Sequence, residues 1–124
     1  MNLVDSSAWL EYFADGPNAD FFAPAIEAVD QLIVPAICIY EVFKTILRQR
    51  GEDDALQAAA QLRAGQIVSL DETLAIAAAC LVHQTKLALA DSVILATARQ
   101  FDATLWTQDA HFKSMEGVRF RRKN

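Results

Sequence analysis

Four acids sit where their positions could do chemistry together. Asp5 closes the short apolar run "NLV", and Asp109 comes just after the run "TLWT". Asp91 is the lone charge of "LALADSVILATA", and Glu41 is the one charge in "ICIYEVF". A charge inside an apolar stretch needs a partner or a cation. Each acid also has an ordinary reading. Asp5, Asp91 and Asp109 could cap the helical segments that follow them. Glu41 falls on one helix face with Lys44, Thr45 and Arg48, so it could form a surface pair with Lys44 worth roughly 0.2–0.5 kcal/mol. Read together, the four carboxylates would repel and stay ionised only beside a cation. Oxygen donors without thiolates or clustered imidazoles point to Mg²⁺ or Mn²⁺ rather than zinc. Such a cluster suits metal-assisted hydrolysis of a phosphodiester, in which one ion activates water and a second, roughly 3.5–4 Å away, stabilises the leaving oxygen.

The chain offers no competing motif. It contains no GxSxG, no GxxxxGK[ST] and no GxGxxG. Ser6 and Ser7 have no His near them in sequence and read as the start of a helix with local hydrogen bonds. His83 and His111 are too far apart in sequence to be a metal pair, and each reads as a surface or packing residue. Cys38 and Cys80 lie in apolar, helix-like runs and read as buried free thiols.

The elements that must position the acids alternate in type. "NLV", "QLIVPA", "QIVSL", "ATLWT" and "VRF" read as short strands. "SSAWLEYF", "ADFFAPAIEAV", "AICIYEVFKTILRQR", "EDDALQAAAQLRAG", "DETLAIAAACLVHQTK" and "ADSVILATARQF" have helical spacing. Pro24 should break or kink the second helix. Gly51 should stop the third and Asp71 should cap the fifth. "QDAHFKSM" reads as a single helical turn. Alternation of this kind implies an α/β domain, with a mostly parallel sheet of four to five short strands covered by helices. In such sheets ligands bind beyond the carboxyl ends of the strands, where strand order reverses. Asp5 and Asp109 would both arrive there.

The length of 124 residues fits one domain spanning residues 1–124. Hydrophobic residues make up 53% and charged residues 22%, which excludes a disordered chain. The net charge of −5 argues against a general nucleic-acid coat. Positive charge is nevertheless clustered, in Lys44, Arg48 and Arg50 and in the tail 119–124, which alone reads as a frayed, solvated end. No signal-like segment opens the sequence and no apolar run is long enough to span a bilayer, so a cytoplasmic protein without membrane contact is expected.

The segments "LVDSSAWLEYF", "LIVPAICIYEVFKTI" and "LALADSVILATARQFDATLWTQDAHF" resemble the PIN-domain ribonucleases, and among them the VapC toxins of toxin–antitoxin pairs. The similarity runs from the first strand to about Phe112. It implies a Mg²⁺- or Mn²⁺-dependent endoribonuclease acting on structured RNA such as tRNA or rRNA. Asp5, Glu41, Asp91 and Asp109 would form its acidic, metal-binding and catalytic pocket, with Ser6 and Thr107 in support. It also implies a homodimer and a cognate VapB-type antitoxin that blocks the pocket and carries the pair to operator DNA. Relatives place a further acid where this chain has His111, which could serve substrate or water instead. Lys44, Arg48 and the basic tail 119–124 would offset the negative net charge locally, with Lys44 and Arg48 contacting the RNA. A non-catalytic PIN-like module that binds only antitoxin or RNA is the alternative.

Overall fold

The computed structural model describes residues 1–123; Asn124, the last residue of the basic tail, lies outside them. Five strands form one sheet: β1 (Asn2–Val4), β2 (Leu32–Pro35), β3 (Gln66–Val68), β4 (Thr104–Thr107) and β5 (Val118–Phe120). All neighbouring pairs are parallel and the order is β3-β2-β1-β4-β5. β1 is therefore central, with β2 on one side and β4 on the other. Strand order reverses there, which opens a crevice at the carboxyl ends of β1 and β4.

Six helices complete the fold: α1 (Ser6–Phe13), α2 (Ala19–Glu27), α3 (Ala36–Arg50), α4 (Glu52–Leu62), α5 (Glu72–Thr85) and α6 (Leu89–Gln100). Single 3₁₀ turns span Val29–Gln31 and Ala110–Phe112. All four residues of β2 are buried, as are Leu3 and Val4 of β1. Successive strand residues point to opposite faces, so both faces of the sheet are covered. The core joins these strands to Trp9, Phe22, Ile94, Leu105 and Phe112, all 0–1% exposed. α6 is buried over the seven residues Ser92–Ala98, and this holds Asp91 at the edge of the core.

Four local expectations need correction. α2 continues through Pro24 to Glu27. The backbone bond that proline forfeits is to Asp20, four residues earlier on the exposed surface, where water can replace it. Cys80 is exposed, whereas Cys38 is buried. α5 turns Leu74, Ala78 and Leu81 inward, and Cys80 lies two residues past Ala78, roughly on the opposite side. Asp91 caps nothing. α6 begins two residues earlier, at Leu89, behind an Ala88 cap that makes no side-chain hydrogen bond. The basic tail is not frayed through Arg122. Arg121 donates its backbone N–H to Thr107 O at 3.0 Å, and Asn18 Nδ2 donates to Arg122 O at 2.9 Å. The Arg119 and Arg121 guanidiniums lie 5.0 and 4.3 Å from the ring centres of Trp106 and Phe21. Each such stack on a half-exposed ring contributes about 0.5–1 kcal/mol. Among the described residues, no single helix is long and apolar enough to cross a membrane.

Candidate active site

β1 delivers Asp5 to the switch point, and its backbone N–H donates to Trp106 O of β4 at 2.9 Å. That bond continues the β1–β4 ladder by one residue, so the position of Asp5 follows from strand pairing. The side chain is only 3% exposed and accepts three hydrogen bonds. Oδ1 accepts from Ser6 N at 2.8 Å, as a residue capping α1. Oδ2 accepts from Ser7 Oγ at 2.7 Å and from Thr107 Oγ1 at 2.8 Å. Asp5 is thus both a cap and a member of the cluster.

Thr107 ends β4 and ties the two strand ends together, because its Oγ1 also accepts from Asp109 N at 2.9 Å. Asp109 opens the short turn that follows and accepts from His111 N at 2.9 Å through Oδ1. Phe112, fully buried, anchors that turn in the core.

Glu41 projects from α3 and accepts from Ser6 Oγ at 2.7 Å. Ser6 therefore bridges Asp5 and Glu41, with its N–H to one and its hydroxyl to the other. Among the described residues no ion pair joins Glu41 to Lys44, whose Nζ lies 5.3 Å from the Tyr40 ring centre. The surface-pair expectation for Glu41 is thereby corrected, because the hydroxyl of Ser6 takes the carboxylate inward.

All four predicted acids line one hollow of about 260 Å³, together with Ser6, Ser7, Leu10, Lys44 and Thr45. Arg48 is exposed and stands outside that lining. A larger groove of about 590 Å³ shares Ser7, Leu10, Thr45 and Asp109 with the hollow and adds Gln49, Arg50, Gln108 and Lys123.

Burial and mutual repulsion raise two of the four carboxyls. Burial pushes the Asp5 carboxyl up to about 6; hydrogen bonds from Ser7 and Thr107 oppose the shift, and repulsion from Asp91 and Asp109 adds to it. Asp91 is also raised, first by burial and then by Asp109, with His111 pulling the other way. The Cys38 thiol beneath the site is pushed well above its usual range by burial, with Asp5 and Glu41 adding to the shift, which makes it an inert neighbour.

The donor set would fit a divalent cation. One ligand atom from each of Asp91, Asp109 and His111 lies within 4.8 Å of the others. Asp5 and Glu41 face the same hollow outside that tight group. His111 is therefore not a mere surface or packing residue: its Nδ1 stands 3.3 Å from Asp91 Oδ2 and 3.2 Å from Asp109 Oδ1. His83 is exposed on α5, as expected.

Sequence reasoning missed two supports. Ser7, read as a local helix-start residue, hydrogen-bonds Asp5 directly; the doubled hydroxyl of "DSS" was its only signal. Asn18 and Gln108 form a strut behind the site, with Asn18 Nδ2 to Gln108 Oε1 at 3.0 Å and Asn18 N to the buried Glu11 Oε2 at 2.8 Å. Asn18 lies in a turn 90 residues away from Gln108, and no local pattern connects them.

Comparison with known proteins finds the same fold. The chain is similar to a toxin–antitoxin complex from Klebsiella pneumoniae, with 24% identity, 96% of both chains covered and a TM-score of 0.81. It is similar to Mycobacterium tuberculosis VapC20, described as a Sarcin-Ricin loop cleaving toxin, with 17% identity, 94% and 95% coverage and a TM-score of 0.78. It is also similar to VapBC2 from Rickettsia felis bound to a DNA fragment from their promoter, with 14% identity, 98% and 97% coverage and a TM-score of 0.72. Among curated proteins no sequence match is found. The PIN domain family matches residues 3–118, nearly the whole chain. With the parallel sheet and the acids at its switch point, this match places the chain in the PIN domain family.

Proposed function

We propose that this protein is a VapC-type toxin, an endoribonuclease that hydrolyses phosphodiester bonds of structured RNA with Mg²⁺ or Mn²⁺. The observation that carries the reading is the convergence of Asp5, Glu41, Asp91 and Asp109 on one hollow from four separate elements. VapC20, with the same fold, is described as a Sarcin-Ricin loop cleaving toxin, which supports the reading.

Asp91 and Asp109 would hold the cation, with Asp5 and Glu41 completing its acidic surround. When bound, the ion supplies charge neutralisation at the phosphoryl group and makes a water more acidic. The chain's own residues do the rest. Three donors fix Asp5 in one orientation, so its negative charge is preorganised. Ser6 engages one oxygen of Glu41 and sets the direction of the other, suited to orienting a water. Lys44 at the rim, and Arg50 and Lys123 along the adjoining groove, are placed to meet the RNA backbone. Arg48, outside the hollow, would act only as a more distant cation on the same helix.

The toxin reading brings partners. A VapB-type antitoxin would cover the hollow, and the pair would reach operator DNA only through it, all in the cytoplasm. A second copy of the chain would cover the apolar surface of α5 and the start of α6. Leu70, Val82 and Leu89 line an apolar hollow of about 390 Å³ there, and Leu89 is 73% exposed. Light scattering is expected to give a dimer that Leu89→Glu splits into monomers; a wild-type monomer at micromolar concentration would remove the homodimer.

Induced expression without the antitoxin tests the main reading. Growth arrest with new RNA ends at defined positions is expected, and Asp91→Asn should abolish both. Unchanged growth and intact RNA would leave the non-catalytic module as the better description.

A further inference from the structure

We propose that the imidazole of His111 is itself a ligand of the cation held by Asp91 and Asp109, and that this nitrogen makes the site favour Mn²⁺ over Mg²⁺. The inference rests on the metal-dependent reading above and adds a donor that sets which ion is used.

Three observations carry it. First, Nδ1 points into the acidic site, 3.3 Å from Asp91 Oδ2 and 3.2 Å from Asp109 Oδ1, so one nitrogen and two carboxylate oxygens converge on a common volume. Second, no packing demand puts the ring there. Its side chain is 69% exposed, and among the described residues it stacks on no aromatic ring. Third, the backbone holds it in place. His111 N donates to Asp109 Oδ1, and the next residue, Phe112, is locked in the core. The ring is therefore delivered to the carboxylates by a braced turn and not by a wandering side chain.

The consequence follows from ligand chemistry. Mg²⁺ prefers oxygen donors, sheds water reluctantly and gains little from an imidazole. Imidazole suits the later first-row ions best, and Mn²⁺ shares the carboxylate preference of Mg²⁺; as a first-row transition ion, Mn²⁺ nevertheless takes a nitrogen donor more readily than Mg²⁺ does. An acid at this position would give an all-oxygen set without that preference. Ligation through Nδ1 leaves Nε2–H free on the far side of the ring, facing away from the two carboxylates.

The test uses the full, antitoxin-free chain and Mn²⁺ itself. Calorimetric titration is expected to show Mn²⁺ binding at least about tenfold tighter than Mg²⁺, with His111→Asp removing most of that ratio. Pulsed electron paramagnetic resonance of the Mn²⁺-loaded protein should show nitrogen coupling from an imidazole. The coupling should persist in His83→Asn and vanish in His111→Asp and His111→Ala; the exposed position of His111 lets these variants fold. Bound Mn²⁺ without nitrogen coupling, or an unchanged ion ratio in His111→Asp, would overturn the role of His111 while leaving the metal-dependent reading intact. Absence of Mn²⁺ and Mg²⁺ binding in the wild type would overturn both.

Discussion

Asp5→Asn is expected to lower RNA cleavage by at least about a hundredfold and, in chelator at neutral pH, to make the protein more stable. The two effects share one cause. Asp5 is buried, and its carboxyl is raised from 3.8 to about 6, chiefly by loss of hydration. A folded-state value above the unfolded one means that the folded chain holds the proton more tightly. The contribution of Asp5 to stability is then greatest below about pH 4 and is lost as pH rises through about 6, where the folded group ionises. Above that pH the buried charge costs on the order of 3 kcal/mol without a counter-ion. Asparagine keeps the shape and removes the charge, and the hydroxyls of Ser7 and Thr107 can rotate to accept from its amide. Urea unfolding in chelator should therefore favour the variant by about 1–3 kcal/mol at pH 7.5, and the gap should shrink towards pH 4.5. Adding Mn²⁺ should stabilise the wild type more than the variant, because binding to the folded state alone adds stability. A variant less stable than wild type in chelator at pH 7.5 would contradict the uncompensated charge. On the proposed metal-dependent reading, loss of a preorganised carboxylate from the cation's surround would account for the lost cleavage, since even supporting groups around bound metals typically contribute about 10–100-fold.

The second large effect is expected at Phe112, which has no chemistry of its own. Its ring is fully buried at the end of the Ala110–Phe112 turn, and Phe112 N donates to Asp109 O at 3.1 Å. Truncation to alanine should cost about 3–5 kcal/mol, the usual range for an aromatic side chain removed from a core. It should also release Asp109 and His111, because the turn that aims them loses its anchor. Urea unfolding would measure the first effect. Hydrogen exchange over residues 109–113, in buffer where the variant is still folded, would measure the second. A loss below about 1 kcal/mol, or unchanged protection of the turn, would show that the turn is braced from elsewhere.

Much of this was legible in the chain because short-range physics fixes it. Short apolar runs between amphipathic segments specify strands and helices, and their alternation implies a parallel sheet. An acid at the end of a parallel strand is carried to the ligand-binding edge whatever the other details, so the places of Asp5 and Asp109 follow from their strands alone. Glu41 and Asp91 were harder. Spacing alone allowed Glu41 to face water beside Lys44, and only the Ser6 hydroxyl, 35 residues away in sequence, resolves its direction. Asp91 read as a cap because the start of α6 was placed slightly late, and helix ends are the least sharply encoded part of a helix.

What the sequence did not disclose depends on contacts between distant segments. Period and propensity say nothing of the strand order, which decides that β1 and β4 are neighbours. The Asn18–Gln108 strut and the docking of Arg121 on Phe21 link segments about a hundred residues apart. His111 shows the same limit: its distance from His83 argued against a metal role, yet its partners are the carboxylates of Asp91 and Asp109.

The central claim is that these carboxylates hold a divalent cation for RNA hydrolysis, and one measurement tests it most directly. Purified, antitoxin-free protein would be incubated with labelled structured RNA in excess EDTA, and then with Mn²⁺ or Mg²⁺ restored. The account predicts intact RNA in EDTA, cleavage on adding back either ion, and no recovery for Asp5→Asn or Asp91→Asn. Equal cleavage with and without EDTA, lost neither by Asp5→Asn nor by Asp91→Asn, would contradict it.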